Sequence, residues 1–246
     1  FDVFVYFIGK RTAGIPCAVI ITCLFYGAIS GSAPATVAAV GSMTIPILTT
    51  LGYDITFSTA IVAVAGGLGV IIPPSIPFIM YGMASGASVS DLFLAGIIPG
   101  CLIAVCLMAY AVYYCKTKGE DKEKIHVTVN ALKSKGFMCV LKESFWAILS
   151  PVFILGGIYS GLVTPTEAAL IGVIYSALVG MFIYKTLSLK DLIPACIETV
   201  KTTAPMLIVL AVAASFSRIL SLLQASTVVE NLLGPLLSHK VILMLI

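Results

Sequence analysis

Gly27-Ala28-Ile29-Ser30-Gly31-Ser32-Ala33-Pro34-Ala35-Thr36 interrupts one apolar run, and Gly66-Gly67-Leu68-Gly69-Val70-Ile71-Ile72-Pro73-Pro74-Ser75-Ile76-Pro77 interrupts the next. Within a bilayer, backbone that leaves a helix must be buried in protein or line a polar cavity, because lipid satisfies neither N–H nor C=O groups. Two such breaks close together point to something polar held at mid-membrane. The surrounding composition supports a membrane setting. The chain is 60% hydrophobic and 10% charged, against about a quarter charged for soluble domains.

The first break divides two short limbs. Gly14 to Ile29 would make about 24 Å of helix at 1.5 Å per residue, short of the roughly 30 Å hydrocarbon core. The second limb runs to about Leu48 and ends at Thr49-Thr50-Leu51-Gly52-Tyr53-Asp54. Length alone leaves two readings open, a re-entrant hairpin or two spans with an exterior turn. Phe57 to Met83 is long for one span and holds the second break. A helical glycine costs roughly 1 kcal/mol and an interior proline about 3, so a discontinuous helix is expected. One half should end before Gly66 and the other begin near Ser75, with a non-helical loop between.

Outward from this stretch, Phe1 to Gly9 reads as the end of an aromatic-rich helix closed by Lys10-Arg11. Ser88-Val89-Ser90-Asp91 fits a capping box. A short amphipathic piece through Gly96 and Pro99-Gly100 should then lead into a span ending at Tyr113-Tyr114-Cys115. Seven of the 14 basic residues fall between Lys116 and Lys142. By the positive-inside rule this connector, residues 116–145, is cytoplasmic, and a solvated connector is favoured over a segment that binds anionic lipid. Few aromatics interleave the lysines, so no nucleic-acid partner is expected. The seven cysteines include no CxxC pair and read as reduced apolar fillers. His126 and His239 fall in loops, which removes most metal and Ser-His schemes.

Ser144 to Gly161 and Thr166 to Tyr184 form a further pair of spans. At a constant offset of 130, Gly27, Ser30, Gly31, Thr36, Ala38 and Ala39 match Gly157, Ser160, Gly161, Thr166, Ala168 and Ala169. This second tip is not read as a symmetry mate of the first. Lysines place both its ends on the cytoplasmic side, and Thr164-Pro165-Thr166-Glu167 is a capping box with proline at the first helical position. Thr164 and Glu167 are therefore expected as a structural cap at the outer surface. Leu187 to Glu198 reads as interfacial and Thr202 to Leu223 as a span. Ala225 to His239 reads as an outer segment, and Lys240 onward as re-entering the bilayer.

The segments Gly27 to Gly41, Ile71-Ile72-Pro73-Pro74-Ser75-Ile76, Asp91 to Gly100 and Thr164 to Ala169 resemble the large membrane subunit of TRAP (tripartite ATP-independent periplasmic) transporters. The resemblance runs over essentially the whole chain, which reads as truncated at both ends. It implies an all-α polytopic membrane protein of elevator type with inverted repeats, each holding a re-entrant hairpin and a discontinuous helix. Residues 1–115 would be part of the first repeat, with the hairpin at about 14–50 and the broken helix at about 57–83. Residues 116–145 would connect to 146–246, the start of the second repeat, whose own hairpin and broken helix would follow Ile246.

The resemblance also implies Na+-coupled uptake of an organic acid, such as a C4-dicarboxylate or sialic acid, across the bacterial inner membrane. A periplasmic substrate-binding protein and a small membrane subunit are the implied partners. No organic cofactor and no enzymatic activity are expected. Expected hairpin-tip residues for Na+ and substrate are Ser30, Gly31, Ser32, Ala33 and Thr36. On the broken helix they are Gly66, Gly67, Gly69, Pro73, Pro74 and Ser75. Na+ is a hard cation suited to oxygen ligands, and a carboxylate suits the helix N-termini near Thr36 and Ser75. Rival readings are a carboxylate symporter working without a binding protein, an intramembrane serine protease and an ABC-type permease. The protease needs a base within reach of its serine, and neither histidine lies in a span.

Overall fold

The computed structural model describes residues 1–224. Among them every regular element is helical. The helices are α1 (Asp2–Ile8), α2 (Gly14–Ser30), α3 (Ala33–Thr50), α4 (Ile55–Gly66), α5 (Leu68–Ile71) and α6 (Ile76–Ser85). After them come α7 (Val89–Lys118), α8 (Lys122–Ser134), α9 (Phe137–Tyr159), α10 (Pro165–Leu178) with a π-helical turn at Val179–Ile183, and α11 (Leu189–Leu222). Six stretches among the described residues are long and apolar enough to cross a membrane, by length and composition. The chain is a multi-pass membrane protein. Compactness divides it into Phe1–Tyr184 and Lys185–Ile246.

In the first unit, α2 and α3 form a helical hairpin joined by Gly31 and Ser32 alone. The turn is tight because Gly31 takes φ +62°, a left-handed conformation open to glycine, and its N–H returns to Gly27 O. The hairpin packs on α4, where Val19, Ile20, Val40, Leu48, Val62 and Leu68 share one buried core. Its threonines satisfy themselves locally. Thr22 donates to Ala18 O and Thr44 to Val40 O, each at 2.7 Å. Hydroxyls that bond back one turn carry no unmet polar group into an apolar interior.

The discontinuous helix is present, but its break is narrower than expected. Gly67 has helical angles, and Leu68–Ile71 forms a further helical turn. Beyond the one-residue step at Gly67, the chain leaves the helix at Ile72 to Ser75, around the cis Pro73–Pro74 bond. α4 thus ends at Gly66, close to where the first half was expected to end, but Gly67 interrupts the helix for one residue only and no long loop opens there. A glycine costs roughly 1 kcal/mol in a helix, and at Gly66 and Gly69 close packing against α3 offsets it. The prolines remove donors and block the preceding turn, so the break sits there.

Three more expectations are corrected. α7 runs unbroken from Val89 through Pro99 to Lys118, rather than beginning as a separate amphipathic piece. Gly96 and Gly100 let it approach the break, since an added Cβ would meet Ile71 O and Phe78 at the first and Ile72 at the second. The lysine-rich connector is not merely solvated. α8 is amphipathic and buries Ile125 and Val129 in the core shared with α1 and α2. In the second unit, α11 is one helix that includes Pro194 and Pro205, where an interfacial piece and a separate span were expected. Ala225 to His239, and the segment from Lys240, lie outside the described residues.

Candidate functional site

The structure brings the two interruptions into contact. A Cβ at Gly69 would collide with Thr36 Oγ1 and lie 3.2 Å from Ser32 O, and one at Gly27 would lie 2.5 Å from Gly69 Cα. Only glycine permits this approach of hairpin to interrupted helix. Gly66 meets Val37 in the same way. Beyond the break, the tip is tied to α6, because Ile76 N–H donates to Gly31 O at 3.4 Å. A Cβ at Gly31 would lie 2.9 Å from Pro74 O.

Oxygen atoms cluster at this junction. Thr36 is fully buried, and its hydroxyl lies 2.9 Å from Ser30 Oγ and donates to Ser32 O at 2.8 Å. Ser30 Oγ also donates to Ser32 O at 3.3 Å, and Thr36 N–H donates to the same carbonyl at 3.0 Å. Ser32 O is thus the acceptor shared by three donors. Ser32 precedes α3 without capping it through its side chain, while Pro34 and Ala35 are exposed at the tip and Ala33 is half-buried. No Asp, Glu, Lys or Arg occurs between Arg11 and Asp54, or between Asp54 and Asp91. The junction is polar but carries no formal charge.

Of the expected site residues, Ser30, Gly31, Ser32, Thr36, Gly69 and Pro74 meet here. Gly66 is occupied by packing against Val37. Gly67 O accepts Val70 N–H at 3.2 Å within its own turn. Pro73 is buried. Ser75 is fully buried, donates to Val70 O at 2.6 Å and accepts Phe78 N–H at 3.4 Å. It closes the gap left by the prolines and caps α6. With Ile76 and Phe78 N–H groups held by Gly31 and Ser75, the start of α6 is already engaged by protein. The sequence reading did not single out Val37, nor the approach of Gly96 and Gly100 to the break. Glycines spaced four apart on one helix were the available signal.

Thr164 and Glu167 lie elsewhere and do form a reciprocal capping box. Thr164 N–H donates to Glu167 Oε2 at 2.7 Å and Glu167 N–H to Thr164 Oγ1 at 3.3 Å. Both residues are exposed.

The sequence matches the family model of the tripartite ATP-independent periplasmic transporter, DctM component, over residues 1–246. The chain belongs to the TRAP large-permease family. It is 40% identical over 238 residues to the isethionate TRAP transporter permease protein DctMQ of Oleidesulfovibrio alaskensis, covering 97% of this chain and 37% of that protein. It is 36% identical to the C4-dicarboxylate TRAP transporter large permease protein DctM of Pseudomonas aeruginosa, covering 93% of this chain and 53% of the relative. It is 39% identical to the sialic acid TRAP transporter permease protein SiaT of Haemophilus influenzae, covering 80% and 31%. The chain thus spans about half or less of the length of these TRAP permeases.

Proposed function

We propose that this chain supplies one half of the transport site of a permease that takes up an organic acid across the bacterial inner membrane with Na+ as the coupling ion. The observation that carries this reading is the junction of the hairpin tip with the interrupted helix, where Ser30, Ser32 and Thr36 oxygens lie within hydrogen-bonding distance of one another. A cluster of hydroxyl and carbonyl oxygens without formal charge suits a hard monovalent cation, which would displace the present mutual hydrogen bonds. Gly69 is pressed against Thr36 and Ser32 O, so the interrupted helix packs directly on this cluster.

The acid group would be met by main-chain donors rather than by a charged side chain. The first turn of α3 fits this better than the start of α6. Ala35 is exposed at the tip, whereas Ile76 and Phe78 N–H groups already have partners. A helix N-terminus offers free donors and partial positive charge to an anion. Relatives named for isethionate, C4-dicarboxylate and sialic acid have an anionic group in common. In this reading α2–α3 is a re-entrant hairpin that moves together with α4–α6 in an elevator-type cycle. A periplasmic binding protein would deliver the substrate, and a small membrane subunit would complete the permease, with residues 116–145 facing the cytoplasm.

The test is Na+ titration of uptake by the complete permease and its partners in proteoliposomes. Ser30→Ala and Ser32→Ala should each raise the half-saturating Na+ concentration. One lost contact to a charged ligand is worth about 1.5 kcal/mol, or roughly tenfold. If both variants keep the wild-type titration, the cation does not sit at this tip.

A further inference from the structure

The base of the α2–α3 hairpin is fastened by a residue belonging to neither arm. Glu120, in the link between α7 and α8, accepts the Ala13 N–H with both carboxylate oxygens, each at 3.0 Å. The Tyr53 hydroxyl donates to its Oε1. Ala13 is the residue before α2, and Tyr53 lies between α3 and α4. One carboxylate therefore holds the entry of the first arm and the exit of the second. A carboxylate accepting several hydrogen bonds makes charge-assisted contacts, stronger than neutral ones.

The surroundings show that this contact is built into the fold. Ala13 is fully buried and Tyr53 is 7% exposed. Ala13 takes φ +58°, a conformation that a residue with a side chain holds only where its neighbours over-determine it. Burial, with the Glu120 carboxylate adding to it, pushes the Tyr53 phenol well above its ordinary value, so the hydroxyl remains a donor. The connector is also held on its far side. Ile125 and Val129 enter the shared core, and Lys133 lies over the Tyr6 ring.

We propose that Glu120 is a positioning residue that joins the α7–α8 connector and the base of the hairpin into one rigid body, so that displacement of the connector carries the hairpin tip with it. The joining is independent of what is transported. Its effect on turnover rests on the uptake reading above.

The test compares wild-type, Glu120→Ala, Glu120→Gln and Tyr53→Phe forms of the complete permease in lipid nanodiscs by amide hydrogen exchange, and measures uptake by the same proteins in proteoliposomes. Glu120→Ala should accelerate exchange in residues 13–17 and 51–57 together, by about tenfold, as expected for loss of a charge-assisted hydrogen bond. Glu120→Gln keeps an acceptor oxygen without the charge and should fall between wild type and Ala. Tyr53→Phe, which removes one hydroxyl and no packing, should accelerate 51–57 more than 13–17. Maximal uptake should fall in the order of the exchange rates, with the half-saturating substrate concentration unchanged. Acceleration confined to 13–17 would reduce Glu120 to a cap of α2 and overturn the proposal. Unchanged exchange would overturn it too, as would a shifted half-saturation at unaltered maximal rate. Absence of Na+-dependent uptake in the wild type would defeat the uptake reading, while the exchange result would still decide the joining.

Discussion

The first unit contains two helical hairpins, α2–α3 and α9–α10, whose tips share a sequence pattern at an offset of 130. Both turn on a left-handed glycine, Gly31 at φ +62° and Gly161 at φ +71°. Beyond that they differ in what satisfies the turn. At the second tip the helix end is self-sufficient, since Thr164 and Glu167 cap it reciprocally and Leu162 is 83% exposed. At the first tip no side chain caps α3. Its polar groups bond to one another and to Ile76, and the whole tip rests on Gly69. A tip that caps itself needs no partner. One that leaves its oxygens facing a neighbouring loop can share them with a ligand.

The largest expected effect lies in the glycines. Gly69→Val would drive a side chain into Thr36 and Ser32 and should cost about 3 kcal/mol, the upper part of the usual range for overpacking. Gly161→Ala meets nothing within 4 Å and carries only the left-handed backbone cost, about 1–2 kcal/mol. Thermal unfolding of the complete permease in detergent measures both. Equal losses would mean that the two tips are equally embedded.

The matching threonines give a smaller single effect. Thr36→Val should destabilise by about 1–3 kcal/mol, because Ser30 and Ser32 lose a buried partner. Thr166 is exposed, so Thr166→Val should stay within about 0.5 kcal/mol. Denaturant titration of the two variants would separate them, and a Thr166 effect as large as that of Thr36 would break the comparison.

The smallest effect tests the cap itself. Thr164→Ala should cost about 1 kcal/mol while leaving the proposed Na+ dependence of uptake where it was. A shift in Na+ response would show that the second tip contributes to the transport site.

What was legible in the sequence follows from chemistry that acts within a few residues. Pro73-Pro74 cannot continue a helix, and the break falls there. Thr164-Pro165-Thr166-Glu167 was readable as a capping box because every atom in it lies within one turn. Gly31 marked a turn, and its positive φ agrees. The extent of the second interruption was misjudged for the opposite reason. Gly66, Gly67 and Gly69 have low helix propensity, yet the helix is interrupted only at Gly67, while Val37 and Thr36 press against Gly66 and Gly69. The lysines between Lys116 and Lys142 drew attention from Ile125 and Val129, whose burial depends on α1 and α2 lying alongside.

By itself the sequence determined that this is an all-helical membrane protein with two polar interruptions in apolar runs. Hydropathy, proline stereochemistry and the uncharged stretches on either side of Asp54 act on the chain locally and require no knowledge of its neighbours. Only the tertiary structure decided that the two interruptions meet and that Glu120 reaches both Ala13 and Tyr53. Those facts depend on groups far apart in the chain arriving within about 3 Å of each other, the hydrogen-bonding range, and packing of whole helices sets that proximity.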